Sequence, residues 1–268
     1  MHATFSRGLT AALITAALCS GAAAPSAVAT ENPGVAAHRL AERKTFTDAE
    51  ILDGFFKTAF GAEYHLAGRV DRVRKYSGPV RVAAAGVNSA ARKAQLAKVV
   101  ADIAHYVQHL DISMADSAAA NVTVHLVRDR NLNRTIAKFY GAERAREIHK
   151  SLDPQCLSGF SKNDRFEIER SDVILTVDNG DFTFLNCAYE ELLQSLGPIN
   201  DTTSVPWTMF NDGVDKGYFD VYDQYLLNIL YDPRIKAGMT VAEVKAVLPQ
   251  VMIDVRAWVA KVNGLPLE

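Results

Sequence analysis

Residues 187–201, Cys-Ala-Tyr-Glu-Glu-Leu-Leu-Gln-Ser-Leu-Gly-Pro-Ile-Asn-Asp, constrain this chain more than any other stretch. At about 100° per residue, Ala188, Tyr189, Leu192, Leu193 and Leu196 share one side of a helix. Glu190, Glu191, Gln194 and Ser195 share the other side, and Gly197-Pro198 stops the helix. The apolar side has to be buried against a sheet or other helices. On the polar side Glu190 and Gln194 are a turn apart and nearly superimposed, while Glu191 diverges from both. That is the layout of a zinc-peptidase helix, with two ligands at i and i+4 and a general base at i+1. Composition alone favours the plainer reading, an amphipathic helix with a solvated acidic face.

The chain has 268 residues. Its start reads as a secretory leader over residues 1–29, with Arg7 ahead of an apolar run from Gly8 to Ala17 and A-x-A cleavage sites ending at Ala24 or Ala29. The run is too short, and too broken by Ser20, Gly21 and Pro25, to span a bilayer. Cys19 raises lipidation, but Leu18 is bulkier than the small residue expected before a lipid-bearing cysteine, so simple secretion to the periplasm or beyond is the expectation. Cleavage removes Arg7 and leaves 28 basic against 31 acidic residues, a net charge of −3. That balance gives no basic stripe for nucleic acid. It also leaves two cysteines, Cys156 and Cys187, which in an oxidising compartment predict a disulfide.

Residues 30–45, small and charged, read as a flexible mature N-terminus. Two capping boxes then mark helix starts, Thr47-Asp48-Ala49-Glu50 with Phe46 and Ile51 as staple, and Thr240-Val241-Ala242-Glu243 with Met239 and Val244. Between them the patterns predict a helix ending by Gly61, strands over 80–84, 121–127 and 173–177, and helices over 90–110, 132–152 and 218–230. Residues 156–171 read as an irregular, charged connection. The order predicts one α/β (α+β) domain over 46–268, a small mixed sheet packed with helices.

Within the zinc-peptidase register, Glu191 takes the general-base position, Gly197 the tight turn, and Asn200 or Asp201 the third-ligand position. Glu190 and Gln194 stand where two histidines belong. An amide oxygen suits Ca²⁺ or Mg²⁺ better than zinc, so the pattern predicts no zinc and leaves another divalent metal open. His105 and His109 form a second pair at helical spacing, without a following Glu, and read as a partly exposed helix end. A two-carboxylate glycosidase needs a partner for Glu190 or Glu191 from Asp178, Asp181 or Asp201. No nucleophile elbow occurs.

The 187–201 stretch, followed by Met209-Phe210-Asn211-Asp212 and by Leu230-Tyr231-Asp232-Pro233-Arg234 with Gly238-Met239, resembles a bacterial family of secreted proteins and lipoproteins, domain of unknown function 2927 (DUF2927). Phe55-Phe56-x-x-Ala59-Phe60-Gly61-x-Glu63 and Cys156 resemble it too, so the likeness spans about residues 46–250. The family is seen mainly in proteobacteria and has no established activity, and its Glu-Glu-x-x-Gln-x-x-Gly helix looks like a degenerate zincin helix. The resemblance implies a zincin-like fold, which the element order also fits. It implies a non-catalytic relative of metallopeptidases that binds a peptide or a cell-envelope protein. The alternative is a divergent metal-dependent hydrolase with Glu191 as base and Glu190 and Gln194 beside it. Met209 and Met239 are candidates for a methionine turn beneath such a site.

Overall fold

Local signals start several of the elements. A computed structural model describes residue 2 and residues 31–60, 71–151, 155–211 and 213–266. In chain order these form α1 (Pro33–Leu40), α2 (Asp48–Ala59), β1 (Val80–Gly86), α3 (Ala90–Tyr106), β2 (Ile112–Met114), β3 (Val122–Val127) and α4 (Leu132–Tyr140). They continue with α5 (Ala142–Ser151), β4 (Cys156–Lys162), β5 (Ile168–Thr176), α6 (Asp181–Ser195), α7 (Val221–Tyr231) and α8 (Val241–Asn263). Both predicted capping boxes close as hydrogen-bonded boxes, Thr47 with Glu50 on α2 and Thr240 with Glu243 on α8. Apart from residue 2, the leader read over 1–29 lies outside the described residues, as do Gly61, Glu63, Leu152 and Asp212.

The strands make one five-stranded mixed sheet in the order β2-β1-β3-β5-β4. Its inner strands are parallel, and β4 runs antiparallel to β5 at one edge. Period-two alternation sends Val82, Val124, Val173 and Leu175 to one face, where they join the main core with residues of α2, α3, α6, α7 and α8. The opposite face carries Leu157 and Ile174, covered by Leu132 and Ile136 of α4 and Ile148 of α5. Helices on both sides are what a largely parallel sheet requires, since neither face can be left to water. Among the described residues, Glu31–Glu268 form one compact unit. The predicted bridge is present: Cys156 of β4 and Cys187 of α6 are bonded, 5.9 Å apart at Cα.

Four expectations need correction. Residues 30–45 contain α1, which Asn32 caps by accepting from the Gly34 N–H at 2.9 Å. Buried Val35, the His38 ring stacked on Phe182 at 5.5 Å and Arg39 lying over Tyr218 at 4.2 Å fasten it down. The stretch 156–171 is a hairpin: β4 pairs with β5 from Cys156↔Leu175 to Lys162↔Ile168. Its sequence, Cys-Leu-Ser-Gly-Phe-Ser-Lys, has weak strand propensity, and the pairing with β5 overrides that. The helix read over 90–110 stops at Tyr106, because Val107 turns extended (φ −103°, ψ 108°), although Val107 and Leu110 stay buried. The helix read over 132–152 is two helices, broken at Gly141, whose φ of 83° a helix does not accommodate.

Candidate functional site

The turn from β5 into α6 is fixed by Arg92, which donates to the Val177 carbonyl at 2.9 Å and to Asp181 at 2.6 Å. From there α6 runs across β4 and β5 and beside α3. It is enclosed on nearly every side: Tyr189, Leu192 and Leu193 are buried, but so are Glu191 (6% exposed), Gln194 (4%) and Ser195 (0%). The solvated acidic face expected from the pattern is therefore absent over this last turn and a half, and only Glu190 is half-buried. The edge strand β4 and the chain beyond Gly197 cover it, and neither cover can be read from the helix alone.

Gln194 and Ser195 are hydrogen-bonded, as burial demands. Gln194 is engaged at both ends of its amide: Nε2 donates to Asp201 Oδ1 at 2.6 Å, and Oε1 accepts from Ser158 Oγ of β4 at 3.3 Å. Ser195 Oγ donates to the Leu192 carbonyl at 2.7 Å. Its own carbonyl accepts from Ser171 Oγ at 2.9 Å, and Ser171 shares a hydrogen bond with Tyr76 at 2.7 Å. Asn200 turns the other way, donating to the Lys57 carbonyl near the end of α2 at 2.6 Å.

Gly197 adopts φ 139°, and a Cβ there would stand 2.3 Å from the Arg74 carbonyl. That close approach brings Arg74 to the end of α6, where its guanidinium lies over Phe160 of β4 at 5.6 Å and donates to the Ala59 carbonyl at 3.4 Å. Arg74 is 2% exposed, and burial pushes its pKa down to about 10.

Of the residues predicted for this site, Gln194 and Asp201 are in direct contact, Glu190 and Glu191 lie about one turn before Gln194 on α6, and Asn200 belongs to the α2 contact. Sequence reasoning missed Arg74 and Ser158. Arg74 lies in no regular element, and Ser158 sits in a strand whose composition hid it.

Gln194 has no amide end free, and among the described residues no group of three or more His, Cys, Asp or Glu side chains is placed to hold a metal ion. The His105–His109 pair loses its helical geometry because α3 ends between the two residues. His105 packs against Tyr106 at 4.8 Å, and both histidines are exposed. Asp181 starts α6, nine residues before Glu190 and so about 13 Å away along the axis, beyond the ~5–9.5 Å separations of a two-carboxylate glycosidase.

Met209 is buried. Its N–H donates to Asp223 at 2.8 Å, and the Thr208 hydroxyl donates to the same carboxyl at 2.5 Å. Full burial pushes the Asp223 pKa up, with Lys216 opposing, and Lys216 is itself ion-paired with Asp220. This cluster fastens the 204–211 loop to α7. Met239 instead accepts from the Lys236 N–H at 3.0 Å within its own turn.

No curated protein matches the chain. A family model does, over residues 48–250, which takes in α2, the whole sheet, α6, α7 and the start of α8. The chain therefore belongs to the family described as Protein of unknown function (DUF2927).

Proposed function

We propose that the protein is a non-catalytic, zincin-like relative of metallopeptidases that binds an extended segment of a peptide or envelope protein outside the cytoplasm. The observation that carries this reading is the state of Gln194, held at both amide ends by Ser158 and Asp201. A side chain so engaged organises the junction between α6 and the edge strand, and is not a ligand awaiting a metal. The sheet supplies the binding mode. Among the described residues β4 pairs only with β5, so its outer side offers main-chain groups to an added strand. The Cys156–Cys187 bridge ties that strand to α6 and suits an oxidising compartment. Among the described residues no helix is long and apolar enough to cross a membrane.

The test uses the mature protein purified without chelator or tag. Peptides selected from a random display library are assayed by calorimetry, then resynthesised with N-methyl groups at alternate residues. Strand addition predicts loss of binding when the methylated amides are those facing β4, and retention in the other phase. Elemental analysis and a quenched-fluorescent peptide library run in parallel with Glu191→Gln. Near-stoichiometric divalent metal, with turnover that Glu191→Gln abolishes, would replace this reading with the hydrolase.

A further inference from the structure

Away from α6, a cavity of about 580 Å³ opens at the end of the sheet where β1 begins, between the β4–β5 hairpin tip and the C-terminal end of α7. Its charged lining is unevenly satisfied. Lys75 is spent as a cap on α7, donating to the carbonyls of Leu230 and Ile235 at 2.7 Å each and to that of Asp232 at 3.4 Å. Asp111 is held by both ends of the Arg81 guanidinium at 2.9 Å. Arg165 and Glu167 pair with each other at 2.7 Å. Two cationic or protonatable groups remain, the Lys236 ammonium and the His109 imidazole, and among the described residues neither side chain has a hydrogen-bond or ion-pair partner. Asp232, near His109, is already chelated by Arg234 at 2.8 and 2.7 Å. The rest of the wall is largely apolar, with Leu110, Tyr231, Pro233 and Ile235.

One wall is held at a conformational cost. Phe166, at the hairpin tip, has φ 65°, a left-handed conformation that a bulky residue adopts only when its surroundings impose it. The tip packs onto Gly238, itself at φ 83°, so closely that a Cβ there would stand 3.2 Å from the Arg165 carbonyl. The Asn163 side chain pins the turn, accepting from the N–H groups of Arg165 at 2.9 Å and Glu167 at 3.1 Å.

We infer that this cavity is a binding site for a small organic anion, a carboxylate on a compact apolar body, with Lys236 and His109 receiving the carboxylate and the Tyr231–Pro233–Ile235 wall the body. The site is separate from the β4 edge and does not depend on peptide binding there.

The test is calorimetric titration of the mature chain with benzoate, with benzyl alcohol as the neutral body and inorganic phosphate as the head group alone. Benzoate is expected to bind at least tenfold more tightly than either control, because a charge-assisted hydrogen bond needs the anion and the wall needs the ring. Lys236→Glu and His109→Ala are surface changes that leave the fold intact, and each is expected to weaken benzoate at least tenfold. Phe166→Gly relieves the backbone and is expected to raise the thermal midpoint while weakening benzoate. Equal binding of benzyl alcohol, phosphate binding without benzoate binding, or benzoate affinity unmoved by Lys236→Glu and His109→Ala would each overturn the assignment.

Discussion

Gly54 offers a test in which helix propensity and packing predict opposite signs. It lies inside α2, where replacing Gly by Ala ordinarily stabilises by about 1 kcal/mol. Here a Cβ would stand 2.2 Å from the Tyr222 hydroxyl oxygen and 2.9 Å from its Cζ. Tyr222 cannot simply swing aside. It is 1% exposed, its hydroxyl donates to the Glu50 carbonyl at 2.6 Å, and its ring meets Phe46 edge-on at 4.8 Å. Overpacking a filled core costs about 1–3 kcal/mol, and displacing the hydroxyl forfeits a buried hydrogen bond of about 1 kcal/mol. Set against the propensity gain, Gly54→Ala should destabilise by about 1–3 kcal/mol. Urea unfolding at 25 °C should show a lower midpoint with an unchanged m-value. In the Tyr222→Phe background, where the nearest clashing atom is gone, the same change should cost about 1 kcal/mol less. A Gly54→Ala protein as stable as the parent would refute the packing argument and leave propensity in control.

Two further predictions follow from named contacts. Replacing both Cys156 and Cys187 by Ser opens a loop of sequence separation 31 and should lower stability by about 3.5 kcal/mol on the chain-entropy model, read as a shift in the denaturation midpoint against the oxidised parent. Glu42 accepts from the Val221 N–H at 2.7 Å at the start of α7, and burial, the largest influence, raises its pKa above the ordinary glutamate value. A raised folded pKa means the folded state holds the proton more tightly. This contribution to stability is therefore fully present below the unfolded value near 4.5 and is lost as pH rises through the folded value. Glu42→Gln keeps an acceptor for Val221 and should flatten that limb of the stability–pH curve; an unchanged curve would show that Glu42 titrates as it does in the unfolded chain.

Some of this protein could be read along the chain because the deciding physics is local. The boxes at Thr47 and Thr240 need only residues three apart, and both formed. The alternation of Val122, Val124 and Leu126 needs only the two-residue period of a strand. The stop after Leu196 needs only Gly197 and Pro198. The bridge between Cys156 and Cys187 followed from reading residues 1–29 as a leader, which sets Cys19 aside and leaves these two to pair.

What failed involved partners distant in sequence. β4 is a strand because β5 lies beside it, and three-residue β2 exists only as a rail along β1. Residues 33–40 are ordered by Phe182 and Tyr218, more than 140 positions away. The site shows the limit most plainly. The sequence by itself determined that Glu190, Glu191 and Gln194 share one side of a helix ended by Gly197. Only the tertiary structure decided that Gln194 is buried, clasped by Ser158 from an edge strand and Asp201 from the following loop. Periodicity fixes which residues share a face. It cannot say whether that face meets water or another part of the chain, because the desolvation and hydrogen bonding that settle the matter belong to groups brought together only by folding.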